Sequence, residues 1–237
     1  MNGNGRPRVA VSWSGGKDSC LAYCRVRERC DVVAFLTMLT EDGSRSRSHG
    51  LRPELLRTQA KAAGVDIVFG RASWTNYEQE FIRILGVLKA RAVECIVFGD
   101  IFLDDHKRWV ERVCACQGLQ ATEPLWGEPT NSLAREFLQR GGHATLVAVQ
   151  CSRLDGEWLG RELDEMVLNE FANIGIDPCG EFGEYHTFVS RIPGEPSSII
   201  VRPAGSYEFS GYAALDLELS GCAPKKTREV ARPFSEI

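Results

Sequence analysis

Short apolar segments alternate with amphipathic ones throughout the first half of the chain. Four segments have the pattern of strands buried on both faces: 9–11, 32–36, 66–69 and 96–98. The segments between them carry apolar side chains at helical spacing, which predicts helices over 53–63, 77–91 and about 105–117. Strands that alternate with helices of this length predict βαβ units and hence a doubly wound parallel sheet.

The pattern changes near residues 126–129, where Trp, Gly, Glu and Pro follow one another. Beyond this point the apolar spacing predicts a mixture of helices and strands. The helices are expected at about 131–140 and 162–174, and the strands at 144–149, 185–189, 198–201 and 207–219. We therefore expect a nucleotide-binding domain over 1–127, ending in a short edge element at 122–125, and a smaller α+β domain over 128–237. The basic tail from Pro224 is predicted to be mobile.

The densest polar motif directly follows the first strand. Ser14, Gly15, Gly16, Lys17, Asp18 and Ser19 lie where that strand turns into a helix. The first backbone N–H groups of a helix lack partners, and the glycines let a phosphate approach them closely. The two serine hydroxyls are further donors, and Lys17 adds a positive charge that we expect at the surface of a crevice. A glycine turn that only caps the helix is the alternative, but it leaves the lysine and the two serines unexplained.

Other polar residues follow later strands of the predicted sheet. Gly99 and Asp100 follow the fourth strand, and His49 lies in the loop after the second. Ligands of such sheets bind beyond the carboxyl ends of the strands, so these residues are candidates for nucleotide binding. Arg108 and Glu111 are three positions apart and therefore share a face of the next helix. They are candidate substrate ligands, and an ordinary surface ion pair is the alternative. A solvated loop histidine is the corresponding alternative for His49.

A second dense motif precedes the strand at 185–189. Two carboxylates, a phenol, an imidazole and a hydroxyl alternate with glycines between Cys179 and Thr187, namely Glu181, Glu184, Tyr185, His186 and Thr187. Such groups bind a metal or an amine, or transfer a proton. Glu184 and His186 are two positions apart, which places them on one strand face as candidate catalytic groups. A β-turn with polar flanks is the alternative.

Composition excludes several classes of function. The formal net charge is −4, with 43% hydrophobic and 25% charged residues, so general nucleic-acid binding is not expected. No apolar stretch is long enough to span a membrane and the start lacks a signal-peptide pattern, which predicts a cytoplasmic protein. The nine cysteines include no C-x-x-C pair, which favours buried structural thiols over a metal site.

Taken together, the motifs resemble those of the diphthine–ammonia ligase family of PP-loop ATPases, also called N-type ATP pyrophosphatases. The resemblance covers nearly the whole chain. It runs through Ser14 to Ser19, Ser48-His49, Gly99-Asp100-Ile101 with Arg108 and Glu111, Pro124-Leu125-Trp126, Leu159-Gly160-Arg161 and 180–187. The first of these stretches is shared by many PP-loop enzymes, whereas the last is much more specific to this family.

The resemblance implies an adenine nucleotide alpha hydrolase-like fold and an ATP-dependent amidation. In that reaction a substrate carboxylate attacks the α-phosphate of ATP, pyrophosphate leaves, and ammonia then displaces AMP. Lys17 would act on the departing pyrophosphate, Asp18 would hold Mg²⁺, and Glu184 with His186 would serve the amine step. The partners implied are ATP, ammonia and a carboxylate, which in this family belongs to a modified histidine of an elongation factor. Arg108, Glu111, Glu181, Tyr185 and Thr187 are the candidate substrate ligands.

Two other classes of function remain open at this stage. A PP-loop enzyme that modifies tRNA would need reactive cysteines and a basic face, and the acidic balance counts against it. A nucleotide sensor without turnover would need neither Lys17 nor the Glu184 and His186 motif. The identity of the carboxylate and the formation of a homo-oligomer are also left open.

Overall fold

A parallel sheet forms the first half of the protein in the computed structural model, which describes residues 5–222. Its strands are β1 (Arg8–Ser12), β2 (Asp31–Leu39), β3 (Asp66–Arg71), β4 (Cys95–Val97) and β5 (Gln120–Thr122). They lie in the order β3-β2-β1-β4-β5, and every neighbouring pair is parallel. This confirms the predicted doubly wound sheet. The tail from Pro224 lies outside the described residues.

Helices cover both faces of this sheet. They are α1 (Lys17–Val26), α2 (Pro53–Ala63), α3 (Tyr77–Ala90) and α4 (Asp104–Ala115). Side chains alternate along β1. Val9 and Val11 therefore join the core on the face of the sheet that α1 and α2 cover, while Ala10 joins the core on the opposite face, which α3 and α4 cover. Helix α2 begins at Pro53, which needs no N–H partner at this position.

An antiparallel sheet forms most of the second half. It contains β6 (His143–Gln150), β7 (Tyr185–Arg191), β8 (Ile199–Phe209) and β9 (Tyr212–Cys222), in the order β7-β6-β9-β8. Helices α5 (Thr130–Gln139) and α6 (Glu165–Ile174) accompany it, with a short 3₁₀ turn at Gly156–Trp158. The predicted α+β character of this half is confirmed, whereas the boundary at 127/128 stays a prediction.

Two predicted elements differ from the structure. The strand expected over 207–219 is interrupted by a hairpin turn, in which Ser210 and Gly211 have φ angles of 47° and 84°. The edge element expected at 122–125 is instead β5, which ends at Thr122. Pro124 has no N–H to donate to a neighbouring strand, so pairing stops before it.

The two sheets share one hydrophobic core. Val11 and Leu21 from the first half belong to the same buried cluster as Phe137, Val147 and Phe188 from the second. Strand β7 is also bonded to the loop after β1, since the Val189 N–H donates to the Gly15 carbonyl at 2.9 Å. The C-terminal half therefore lies directly against the predicted phosphate loop. Within residues 5–222, no helix has the length and apolar character to cross a membrane.

Candidate functional site

A cavity of about 640 Å³ lies where the carboxyl ends of β1, β2 and β4 meet the turn before β7. One part of its wall is polar and comes from the loop after β1, the end of β4 and the turn at 179–187. Another part is aromatic and comes from the start of α3 and the loop before it, beside apolar side chains of β2. Residues predicted separately in the two halves of the sequence therefore line a single cavity.

The loop after β1 is held by its own serines. The Oγ atoms of Ser14 and Ser19 are 3.0 Å apart, and the Gly16 N–H donates to Ser14 Oγ at 3.2 Å. Ser14, Lys17, Asp18 and Ser19 line the cavity. Gly15 and Gly16 lie behind this lining. Gly15 has a φ of 86°, which favours glycine, and a Cβ on Gly16 would come within 2.4 Å of the His49 ring.

Lys17 lies in the wall of the cavity, but its side chain is buried there, whereas the sequence predicted an exposed position at the surface of the crevice. Its side chain is 3% exposed, its Nζ is 3.0 Å from an Asp18 carboxylate oxygen, and it also donates to the Cys179 carbonyl. The Nζ lies 4.7 Å from the centre of the Tyr185 ring. Burial alone would lower the pKa of Lys17. The neighbouring Asp18, Tyr185 and Cys179 outweigh this effect and raise the pKa above its ordinary value. Lys17 is therefore a fixed positive charge at the junction of the two halves.

Gly99 and Asp100 follow β4 at the same part of the wall. A Cβ on Gly99 would come within 2.8 Å of the Ser19 nitrogen, so glycine allows β4 to end against the start of α1. The Asp100 carboxylate lies 3.1 Å from Nδ1 of His106, and this hydrogen bond raises the pKa of His106. His106 also lines the cavity, although no sequence motif indicated it.

Two imidazoles stack beside the loop after β1. The ring centres of His49 and His186 are 4.6 Å apart. The Nδ1 of His49 lies 2.9 Å from the Thr187 carbonyl oxygen. Burial lowers the pKa of His49 to about 4, and burial together with the charges of His49 and Lys17 lowers that of His186. Both rings are therefore neutral near neutral pH.

The two glutamates of the second motif have different surroundings. Glu184 is 2% exposed, does not line the cavity, and accepts from the N–H groups of Asp177 and Phe182 at 3.3 and 3.2 Å. Glu181 lines the cavity and accepts from the Ile101 N–H at 3.0 Å. Burial, opposed in part by the Ile101 hydrogen bond, raises the pKa of Glu181 to about 7. Glu181, rather than Glu184, presents a titrating carboxyl group to the cavity.

The remaining candidates of this motif connect it to Lys17. Thr187 Oγ1 accepts from the Lys17 backbone N–H at 3.1 Å, and the buried Tyr185 hydroxyl donates to the Pro178 carbonyl at 2.6 Å. Both residues line the cavity. Arg108 and Glu111 do not, because they lie on the exposed face of α4. There Arg108 pairs with Asp105, and Glu111 is 3.7 Å from Lys107.

The aromatic part of the wall was not predicted from the sequence. Trp74, Tyr77 and Phe81 line it, beside Met38 from β2. The Arg47 guanidinium lies 3.8 Å from the centre of the Trp74 ring and donates to the Ala72 carbonyl at 2.8 Å. The rule that ligands bind beyond the carboxyl ends of parallel strands would have indicated Trp74, which follows β3.

The cavity wall offers carboxylate and hydroxyl oxygens, three imidazoles and one thiol as possible ligands. Residues 5–222 contain no group of three or more His, Cys, Asp or Glu side chains that could hold a metal ion by itself. Among the cysteines in that range, Cys179 is the one that lines the cavity, and burial raises its pKa. A neutral thiol is a poor nucleophile, so the site does not favour sulfur transfer.

Comparisons with known proteins match both halves of the chain. The model for the diphthamide synthase N-terminal domain matches residues 7–121, and that for the diphthamide synthase C-terminal domain matches 129–196. The diphthine–ammonia ligase of Rattus norvegicus is 27% identical over 220 residues, which cover 82% of this chain and 82% of its own. The diphthine–ammonia ligase of Schizosaccharomyces pombe is 28% identical over 90% of this chain and 39% of its own. Among solved structures, a predicted subunit of tRNA methyltransferase from Methanocaldococcus jannaschii aligns at 17% identity with a TM-score of 0.42, over 78% of this chain and 99% of that one.

Proposed function

Because the chain belongs to the diphthamide synthase family, which both of its halves match, we propose that it is an ATP-dependent amide ligase. It adenylates a carboxylate with release of pyrophosphate and then forms an amide with ammonia, releasing AMP. The observation that carries this proposal is the shared cavity, in which a serine- and lysine-bearing loop and an aromatic wall face the same space. A nucleotide needs both features, the loop for its phosphates and the aromatic wall for its base.

The loop after β1 serves the first step. Negative charge develops on the departing pyrophosphate, and Lys17 stabilises it together with the hydroxyls of Ser14 and Ser19. The Asp18 carboxylate already fixes the position of the Lys17 ammonium group. Since the pKa of Lys17 is raised above its ordinary value, the ammonium group is charged at neutral pH.

Magnesium fits this part of the cavity. Asp18 and Asp100 offer hard carboxylate oxygens, and Mg²⁺ is commonly held by one or two carboxylates together with substrate phosphates. That mode agrees with the lack, within residues 5–222, of a complete metal cage. We assign Asp18 as the ligand that would hold it. When bound, the ion neutralises charge on the phosphates.

Glu181 serves the amine step. Its carboxyl group lines the cavity and has a pKa of about 7, so near neutral pH it both accepts hydrogen bonds from ammonia and attracts ammonium. This role was predicted for Glu184, whose oxygens instead accept backbone N–H groups. Diphthine is the carboxylate suggested by the names of the relatives, and its protein carrier is the proposed partner.

The bond that is cleaved in ATP tests the proposal directly. ATP labelled at the γ-phosphate is incubated with the protein, ammonium and a diphthine-bearing protein. Labelled pyrophosphate and AMP are the expected products. Lys17→Ala should slow pyrophosphate release about 10²-fold or more, the scale for loss of one preorganised charge-stabilising group. Lys61→Ala, on the exposed face of α2, is the control and should leave the rate unchanged. ADP and free phosphate as primary products would reject the adenylation mechanism.

A further inference from the structure

The single hydrogen bond of His49 fixes which of its ring nitrogens carries the proton. A carbonyl oxygen only accepts, so the contact of Nδ1 with the Thr187 oxygen requires hydrogen on Nδ1. In a neutral imidazole the other nitrogen, Nε2, then has a free lone pair. Within residues 5–222, Nε2 has no hydrogen-bond partner. His49 therefore brings an oriented proton acceptor to the cavity wall.

His49 lies in the cavity wall beside the loop after β1. Its ring covers Gly16 so closely that an added Cβ would lie 2.4 Å from Cε1. On its other side it stacks on His186. Burial, with a smaller contribution from the charge of Lys17, lowers the pKa of His49 and keeps the free ring neutral. A bound nucleotide adds negative charge at the loop, which favours the protonated ring once a proton arrives.

We propose that His49 Nε2 is the proton acceptor of the amine step, with the Thr187 carbonyl as its positioning group. This inference rests on the proposed amide ligase. Ammonia attacks the acyl carbon, so that a C–N bond forms and the nitrogen becomes positively charged. The C–O bond to AMP then breaks, with its electron pair leaving on the AMP oxygen, and one proton moves from nitrogen to Nε2. His186 stacks on His49 but has no hydrogen bond within residues 5–222 that fixes its tautomer, so we assign the acceptor to His49.

His49→Asn tests the assignment, because asparagine has an N–H to offer the Thr187 carbonyl but lacks the Nε2 acceptor. With a diphthine-bearing protein as the carboxylate, ATP–pyrophosphate exchange should stay within about threefold of wild type. Amide formation from ammonium should fall about 10²-fold or more, the usual scale for a lost general base. When hydroxylamine replaces ammonia, its adduct loses its proton to water more readily than the ammonia adduct does. The rate of hydroxamate formation in His49→Asn should therefore fall much less than the rate of amide formation. A merely structural defect would lower both products equally.

His143→Asn is the matched control, since His143 is exposed and paired with Glu162 outside the cavity. It should leave all three rates unchanged. Unaltered amide formation in His49→Asn would overturn the inference, as would equal loss of amide and hydroxamate. Wild-type protein without pyrophosphate exchange would instead reject the proposed function, and the inference with it. The ¹⁵N spectrum of His49 in the wild-type protein is an independent check, and a proton on Nε2 at neutral pH would overturn the assignment whatever the activity.

Discussion

At the scale of single residues, Glu181 and Glu184 show how one motif produces two unlike carboxylates. The turn at 177–184 directs Glu184 back onto its own backbone N–H groups, while Glu181 reaches the cavity and the Ile101 N–H. Glu184 thereby holds the turn in shape. Glu181 keeps a carboxyl oxygen available to a ligand.

The pair of variants Glu181→Gln and Glu184→Gln separates these roles. Glu181→Gln removes a charge-assisted hydrogen bond to the amine, so the KM for ammonium should rise about tenfold or more while pyrophosphate exchange persists. Glu184→Gln should leave that KM nearly unchanged. It should instead lower the free energy of unfolding by about 1–3 kcal/mol, since its amide meets backbone donors. Ammonium titrations and urea denaturation of both variants check this, and interchanged phenotypes would contradict it.

The raised pKa of Glu181 also predicts a pH dependence of stability. Its folded-state pKa of about 7 lies above the ordinary value of 4.5, so the folded protein binds the proton more tightly than the unfolded chain does. This stabilising contribution is complete below about pH 4.5 and is lost as the pH rises through about 7. Compared with Glu181→Gln, the wild type should therefore lose stability between pH 5 and 8 in urea denaturation. A constant difference between the two proteins across that range would contradict the assignment.

The residue types of the site were visible in the sequence, but their directions were not. The motif from Ser14 to Ser19 was found because its chemistry is local. The burial of Lys17 was not predictable, because Cys179 and Tyr185, which enclose it, are more than 160 positions away. Glu181 and Glu184 differ through the path of the turn between them, and no alternation rule applies to a turn.

At the scale of elements, α2 and β7 hold the loop after β1 from opposite sides through Gln59. This buried side chain accepts from Trp13 Nε1 at 2.8 Å and donates to the carbonyls of Gly15 and Val189 at 3.0 and 2.7 Å. All three of these bonds lead to the loop or to β7. Gln59 thus fixes the position of the loop relative to the second sheet.

Gln59→Leu should be strongly destabilising for this reason. Leucine fills a similar volume but leaves the buried Trp13 Nε1 without its acceptor and takes one hydrogen bond from each of the Gly15 and Val189 carbonyls. A buried polar group that loses its partner costs about 1–3 kcal/mol. We expect a loss of about 3–5 kcal/mol in the free energy of unfolding, measured by urea denaturation. Lys61→Leu, an exposed polar-to-leucine change in the same helix, is the control and should have little effect. A loss below about 1 kcal/mol for Gln59→Leu would show that the loop is held by other contacts.

The elements themselves were largely predictable because each has a local signal. Helix α2 was predicted from Pro53 to the glycine at position 64, and the structure has it at Pro53–Ala63 with Gly64 in the left-handed conformation. The hairpin at Ser210 and Gly211 was missed because apolar residues continue on both sides of it. Gln59 was missed because a glutamine on a helix is ordinarily exposed, and only the packing of β7 buries it.

At the scale of the whole molecule, the two halves depend on each other. One core contains Val11, Leu21, Phe137 and Phe188, and Arg25 of α1 pairs with Glu128 and Glu136 beyond the predicted boundary. The cavity is likewise formed by both halves. The order of the chain suggested two domains in sequence, but no local pattern reports how much surface two halves bury against each other.

The shared core predicts that the protein unfolds in one cooperative step. Separating the halves would expose the apolar cluster and leave the Gly15 carbonyl and the Lys17 N–H without partners from β7, so a state with one half folded is unfavourable. Urea denaturation followed by far-ultraviolet circular dichroism and by tryptophan fluorescence should therefore give coincident transitions. In variants that keep a single tryptophan, Trp13 reports the first half, and Trp158, stacked on Phe171 at 4.9 Å, reports the second. ATP should shift both signals to higher urea together, because ligand binding to the folded protein stabilises the whole cooperative unit. Two separated transitions, with the Trp158 signal unaffected by ATP, would show that the halves fold independently and that the nucleotide is held by the first half alone.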